Sequence, residues 1–226
     1  MIPQIKVCQF VYGEMAVAEH WFAKYVEPMN RLYCRIHGYE YVVERLDSVR
    51  EDRHGNWEKV ALIQRNLHDC GYLFFLDADA CFYCHLLAIH EEIIPLLPDE
   101  RHILVPVDVG GEHFRWNTDK SGTGVMLFRN TPVAHTILEE WDVFSDTEEG
   151  LHTRWQWSVE QAAFGWFIYP KHHAHIQVCT DYYRLQGLHG YFVRHLFNCS
   201  GLDREAEFKR IFESELMRKN RRLLKR

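Results

Sequence analysis

Apolar and polar positions along this chain switch between a period of two and a period near 3.6, and the switches lay out its elements. Residues 5–11 (Ile-Lys-Val-Cys-Gln-Phe-Val) read as a buried strand that ends at Gly13. From Glu14 to Ile36, apolar residues recur through Ala18, Trp21, Phe22, Tyr25, Met29, Leu32, Tyr33 and Ile36. Residues three and four apart share a helix face, so this spacing predicts a helix. Pro28 lacks the backbone N–H that a helix interior needs and should kink or split it, and Gly38 suits its stop. Residues 39–43 alternate as a second strand, and 47–55 form a polar loop. A second helix is expected over 56–70, with Trp57, Val60, Ala61, Gln64 and Leu67 on one face and Gly71 closing it. Tyr72-Leu-Phe-Phe-Leu76 is uninterruptedly apolar, the pattern of a strand covered on both faces.

Further on, a helix is predicted over 88–97, and strands over 102–107 and 125–129 flank a glycine-containing loop. Pro132 opens a helix whose apolar face is Val133, Ile137, Leu138, Trp141 and Phe144. Residues 158–167 read as helix and 174–179 as strand. Strands alternating with helices, without repeats or a linker, predict an α/β fold in one domain, with a mostly parallel central sheet flanked by helices.

Composition narrows the function classes. A chain of 226 residues with 47% hydrophobic and 26% charged residues suits a globular domain with a sizeable core. A net charge of −6 offers no overall basic surface, so no nucleic acid partner is expected. Seven tryptophans suit stacking on sugar rings, although most must serve the core. The opening residues do not form a secretory signal, and no apolar run approaches the roughly 18 residues of a membrane span. Seven scattered cysteines then read as thiols in a reducing compartment, and the expected location is cytoplasmic. The last 19 residues, from Phe208, are locally basic, with Phe208, Ile211, Phe212, Leu216 and Leu223 on one helical face. This divides the chain into a main domain over 1–202 and a basic amphipathic helix over 203–226. Such a helix suits peripheral contact with the inner face of an anionic membrane; the alternative is a terminal helix packed on its own domain.

The most informative chemistry follows the apolar strand directly, at Asp77-Ala78-Asp79. Ligands of open α/β sheets bind at the carboxyl ends of strands, so two carboxylates are delivered where a site is expected. If the chain stays extended, both face one cation; if it turns, one binds directly and the other through water or a ribose hydroxyl. Hard oxygen ligands suit Mg²⁺ or Mn²⁺, which leave positions for phosphate oxygens. A solvated acidic turn is the bland alternative.

Several segments around this motif fall into a familiar order. Asn30-Arg31-Leu-Tyr33, His37-Gly38-Tyr39, Trp57-Glu-Lys59 and the Asp77-Ala-Asp79 strand are followed by Gly122-Thr-Gly-Val-Met-Leu-Phe-Arg129-Asn130, Glu160-Gln161 and Phe192-Val-Arg-His195 through Gly201. Together they resemble the fungal mannosyl/galactosyltransferases and plant xyloglucan xylosyltransferases, over roughly residues 5 to 201. The resemblance implies a GT-A (Rossmann-like) fold and transfer of a sugar from a UDP- or GDP-linked donor to a glycan or glycolipid hydroxyl. It also implies Mn²⁺ or Mg²⁺ as cofactor and retention of anomeric configuration. By position it makes Asp77, Asp79 and His195 metal ligands. Lys59 becomes a donor contact, and Glu160 with Gln161 lie near the reacting sugar. Gly122 departs from the pattern, which has asparagine there.

Further candidates come from their places in the chain. Tyr12 and Gly13, after the first strand, join Lys59, Asp77, Ala78 and Asp79 as donor-binding residues. A carboxylate at Glu160 suits oxocarbenium-like charge. Asp108, at a strand's carboxyl end, and Trp155 and Trp157 are acceptor-binding candidates. Cys81-Phe-Tyr-Cys84-His85 matches a haem-attachment spacing, but it is read as continuing the central strand, without a second ligand set. His172, His173 and His175, read on a strand, fall on different faces. A dehalogenase-like phosphatase would carry its aspartate pair near the N-terminus and followed by Gly-Thr. The remaining alternative is a non-catalytic glycan- or nucleotide-sugar-binding module on a transferase fold.

Overall fold

A computed structural model describes residues 3–17, 20–107, 121–154, 159–197 and 203–214. Its central sheet has six strands: β1 (Ile5–Tyr12), β2 (Glu40–Leu46), β3 (Tyr72–Leu76), β5 (Ile103–Pro106), β6 (Val125–Arg129) and β7 (Ile176–Cys179). They lie in the order β2-β1-β3-β6-β5-β7. A separate two-stranded sheet pairs β4 (Ala80–Phe82) with β8 (Val193–His195). The helices are α1 (Glu27–His37), α2 (Glu58–Leu67), α3 (Ile89–Glu92), α4 (Pro132–Phe144), α5 (Val159–Ala163), α6 (Tyr169–His172), α7 (Tyr182–Leu185) and α8 (Arg204–Phe212).

The apolar runs are strands buried on both faces, and their side chains sort by a period of two. Cys8, Phe10, Leu73, Phe75, Ile103, Val105, Met126 and Phe128 join one core, shared with α2, α4 and the 159–168 helix. Their neighbours Ile5, Val7, Phe74, Leu76, Leu104, Val125 and Leu127 join the other, with Tyr33 of α1 and Phe82 of β4. Successive side chains of a strand point to opposite faces, so one continuous run feeds two layers.

Five strands share a direction, and β6 runs against them between β3 and β5. This reversal matters for function. Leu76 pairs with Val125, so the residues leading into β6 arrive at the carboxyl end of β3, beside Asp77. The period in the sequence reports burial, not direction, and so it does not distinguish this strand.

Several elements differ from the pattern-based expectation. The helix expected from Glu14 is instead a short 3-10 turn at Gly13–Ala16 and then a helix leading into α1. Pro28 is accommodated by a wider turn before it, in which Glu27 N–H donates to Phe22 O. The same device precedes Pro170, where Tyr169 N–H donates to Phe164 O. A proline cannot donate to the carbonyl four residues back, and a five-residue bond shifts the ladder past it. Gly38 does end α1, with φ 71°. On α2 the buried face is Lys59, Val60, Leu62, Ile63, Asn66 and Leu67, so Ala61 and Gln64 lie at its edge. The expected 88–97 helix is two short pieces, α3 and a turn at Ile94–Leu96. His172, His173 and His175 fall in α6 and the turn after it, not on a strand. Cys81 lies in β4 of the second sheet, so the Cys81–His85 segment does not continue the central strand. The polar 47–55 loop carries a buried anchor: Arg53 pairs with Asp142 at 2.9 Å and stands over the Trp57 ring. That contact fixes the start of α2.

His85 lies in the second core, fully buried, with Nε2 3.2 Å from Phe82 O. Burial lowers its pKa from 6.5 to about 3. Between those values the unfolded chain binds a proton that the folded chain refuses, so stability falls as pH drops through this window. The contribution is at most about 1.4 kcal/mol per pH unit. Urea melts at pH 7 and pH 5 should show a shallower acid loss for His85→Leu than for the natural chain; parallel losses would contradict it.

Candidate active site

The site forms where β3 ends. Leu76 is the last buried residue of the strand, and Asp77 N–H donates to Gly124 O at 2.7 Å. The chain then turns, with Ala80 N–H donating to Asp77 O, and enters β4. Because β4 pairs with β8, with Ala80 opposite His195, an imidazole 116 residues further on meets the aspartates. His195 Nε2 lies 3.0 Å from Asp79 Oδ1 and 3.8 Å from Asp77 Oδ2. One ligand atom from each of Asp77, Asp79 and His195 lies within 4.8 Å of the others.

This turn is held from below by side-chain amides. Gln9 Nε2 donates to Asp77 O and Ala80 O at 2.9 and 3.1 Å. Gln9 Oε1 accepts from Asn30 Nδ2 at 2.8 Å and from the Tyr41 hydroxyl at 2.5 Å. Asn30 Nδ2 also donates to Ala80 O, and its Oδ1 accepts from Phe82 N–H. Every polar atom of these two buried amides is used, as a low-dielectric interior demands. A polar residue amid the apolar β1 run was the signal for Gln9. Asn30 belongs to the Asn-Arg-Leu-Tyr motif, and its role appears only once β4 is in place.

Lys59 lies in the first turn of α2 but points inward and is only 3% exposed. Its Nζ stands 3.0 Å from Asp77 Oδ1 and 2.7 Å from Glu160 Oε1. Burial alone would strip its proton; the two carboxylates outweigh that and hold its pKa above the ordinary value. Asp77 is shifted upward by burial, against the pull of Lys59 and His195. Asp79 experiences the same desolvation, but His195 and then Arg204 hold it below the ordinary carboxylate range.

Glu160 opens α5, and its carbonyl accepts from the indole N–H of buried Trp141 at 3.0 Å. Its Oε1 faces Lys59, with Thr123 Oγ1 at 3.4 Å, while Oε2 is buried without a hydrogen-bond partner. Gln161 Oε1 accepts from Thr123 N–H at 3.3 Å. Tyr12 closes the side near Gly55, where a Cβ would meet its ring at 2.7 Å. Burial and then the charge of Glu160 raise the Tyr12 phenol. Gly13 takes φ 57°, a left-handed conformation suited to glycine. Ala78 is half-buried in the aspartate turn. Asp108, Trp155, Trp157 and Gly201 lie outside the described residues.

Two features were not legible in the sequence. Gly124 leaves open the space between the ligands: a Cβ there would stand 2.7 Å from Asp77 Oδ2 and 2.1 Å from His195 Cε1. Arg204, at the start of α8, places Nη2 3.6 Å from Asp79 Oδ2 and is 41% exposed on its side chain. Its helix is docked by Phe208, which stacks on Trp21, and by buried Ile211. Nothing in a locally basic tail singles out one arginine. Residues beyond 214, including Leu216 and Leu223, lie outside the described residues.

The profile of the galactosyl transferase GMA12/MNN10 family matches residues 12–180. The chain belongs to this family. No curated protein matches this family member in sequence. In structure it is similar to a glycosyltransferase involved in the glycosylation of the major capsid of PBCV-1, with TM-score 0.70 and 14% identity over 92% of this chain and 99% of that one. It is also similar to the glycosyltransferase GlyE of Streptococcus pneumoniae TIGR4, with TM-score 0.58, 11% identity and 99% of this chain covered. A third likeness is to the bifunctional glycosyltransferase WbbM, with TM-score 0.59, 10% identity and 99% coverage. The chain spans 64% of GlyE and 52% of WbbM. These likenesses show the fold, which is GT-A. Among the described residues, no helix is long and apolar enough to cross a membrane.

Proposed function

We propose that this glycosyltransferase-family chain moves a sugar from a nucleoside-diphosphate donor to a hydroxyl of a glycan or glycolipid, with a divalent cation, Mn²⁺ or Mg²⁺, at Asp77, Asp79 and His195. The observation that carries this reading is the convergence of those three side chains within 4.8 Å at the carboxyl end of β3. The donor set fits such an ion. Two of its three members are carboxylates, and Gly124 keeps the cradle between them free of a side chain. A divalent ion bound there neutralises charge gathering on a departing diphosphate.

The chain's own residues supply the rest. Lys59 fixes Asp77 and Glu160 relative to each other, so the metal-binding and sugar-reacting parts share one rigid ion-pair network. Arg204, half-exposed beside Asp79, suits a donor phosphate by charge and by its forked donors. Glu160 holds a carboxylate beside Lys59, with its second oxygen unpartnered among the described residues, and a carboxylate there suits positive charge at an anomeric carbon. Gln161 and Thr123 set its orientation. Tyr12 and Gly13 suit the nucleotide by their place after β1, and Asp108, Trp155 and Trp157 are assigned to the acceptor from their places in the sequence alone. Retention of configuration, with attack and departure on one face, follows the family resemblance. On this reading the chain divides into a catalytic part over 1–202 and a tail over 203–226 that begins with α8, and it works in the cytoplasm. The buried Phe208 and Ile211 favour docking of α8 on its own domain over a peripheral membrane contact.

A donor screen tests this reading. Purified protein with Mn²⁺ and a panel of UDP- and GDP-sugars should release nucleoside diphosphate from one donor above all others. Binding of a donor with no release, under any acceptor supplied, would favour the non-catalytic binding module.

A further inference from the structure

The segment Ser121–Gly124 leads into β6 with small residues only, and both of its glycines face polar groups across the site. At Gly124 these are Asp77 and His195. At Gly122 a Cβ would stand 2.6 Å from Gln186 Oε1 and 3.0 Å from its Nε2. Two residues of chain span at most about 7 Å, so the glycine that faces Gln186 lies within that distance of the one that faces the aspartate–histidine group.

Gln186 is 3% exposed, and among the described residues its Oε1 has no hydrogen-bond partner. A buried amide oxygen is ordinarily satisfied, so an unsatisfied one facing a glycine marks a place where a polar atom is expected to arrive. The position is also well anchored. Gln186 N–H donates to Tyr182 O at 2.9 Å, and His195 N–H donates to Gly187 O at 3.4 Å, so the Gln186 loop is tied to the strand that carries His195. Gly187, at φ 86°, makes that turn in a conformation other residues rarely adopt.

We infer that Gln186, facing Gly122, forms a subsite for a sugar hydroxyl and selects which sugar the enzyme accepts. The inference rests on the reading under Proposed function. Gln186 Oε1 accepts the hydroxyl proton; a sugar with that hydroxyl inverted leaves it unpaired again. The hydroxyl belongs to the donor or to the acceptor, and two assays separate these sources.

The natural chain and Gln186→Ala are compared with Mn²⁺ and UDP-glucose, UDP-galactose, UDP-xylose and GDP-mannose. Donor hydrolysis is measured without acceptor, and transfer with methyl glycosides as acceptors. Free UDP or GDP affinity is measured alongside. For a donor hydroxyl, hydrolysis of the preferred sugar should fall roughly 10- to 100-fold in kcat/KM, and discrimination against its epimer should shrink. For an acceptor hydroxyl, hydrolysis should hold while the acceptor KM rises by a similar factor. In both cases nucleotide affinity should stay within about twofold of the natural chain's. Gln186→Met, which keeps the side chain's volume and removes the acceptor oxygen, replaces the alanine variant if that one misfolds. Unchanged hydrolysis, transfer and sugar discrimination in an active enzyme would overturn the subsite alone, as would nucleotide affinity falling in step with turnover. A natural chain that turns over no donor would overturn the reading beneath it and the subsite with it.

Discussion

Asp79→Asn is expected to lower turnover by about 100-fold or more while leaving the fold in place. The substitution keeps the size of the side chain and removes one negative ligand from the Asp77, Asp79 and His195 group. Its structural cost is small, because the carboxylate is partly exposed and its partners are one imidazole at 3.0 Å and one exposed guanidinium at 3.6 Å. Partly exposed pairs of this kind contribute at most about 1 kcal/mol. The backbone of the turn is held independently, through Leu196 N–H donating to Asp79 O and through Gln9 and Asn30. Steady-state rates beside a thermal melt would check this. A melt within a few degrees of the natural chain's, together with near-normal turnover, would remove Asp79 from the metal site.

Lys59→Met is expected to damage both stability and activity. Methionine fills the same volume, but it leaves Asp77 and buried Glu160 facing each other without their shared cation. Removing one partner of a buried ion pair costs about 3–5 kcal/mol, because the remaining charge is stranded. In a chain of this length that corresponds to a melting point lower by about 10 °C. Turnover should fall together with it, since Asp77 and Glu160 lose their common anchor. Adding Glu160→Gln to Lys59→Met should restore part of the stability and none of the activity. If the single variant melted like the natural chain, Lys59 would be a tolerated neighbour of the site and not its anchor.

Sequence and structure agree most closely where one physical signal decides the outcome. The apolar run Tyr72–Leu76 had to be a buried strand, and the aspartates after it had to appear at its carboxyl end. His195, Lys59 and Glu160 carried no such local signal; they were legible through the order of motifs that the chain shares with its family. What the sequence hid depends on long-range placement. Lys59 sits between Glu58 and Val60 like many surface lysines, and it is buried because β3 and α5 bring it two carboxylates. The reversal of β6 depends on the chain's route after β5, which hydrophobic period does not encode. Arg204 meets Asp79 only because Phe208 and Ile211 dock α8. Residues 14–20 carry helical spacing, yet Gly13–Ala16 closes as a tight turn instead, so spacing alone did not fix the helix start.

The most direct measurement is nucleoside diphosphate release by the natural chain from its preferred donor, first with Mn²⁺, then with excess EDTA, then with Mn²⁺ restored. Release should stop in EDTA and return with the ion, and the Asp79→Asn chain should show little release in any of the three conditions. Release that continues at the same rate in EDTA would contradict a metal-dependent transfer at Asp77, Asp79 and His195.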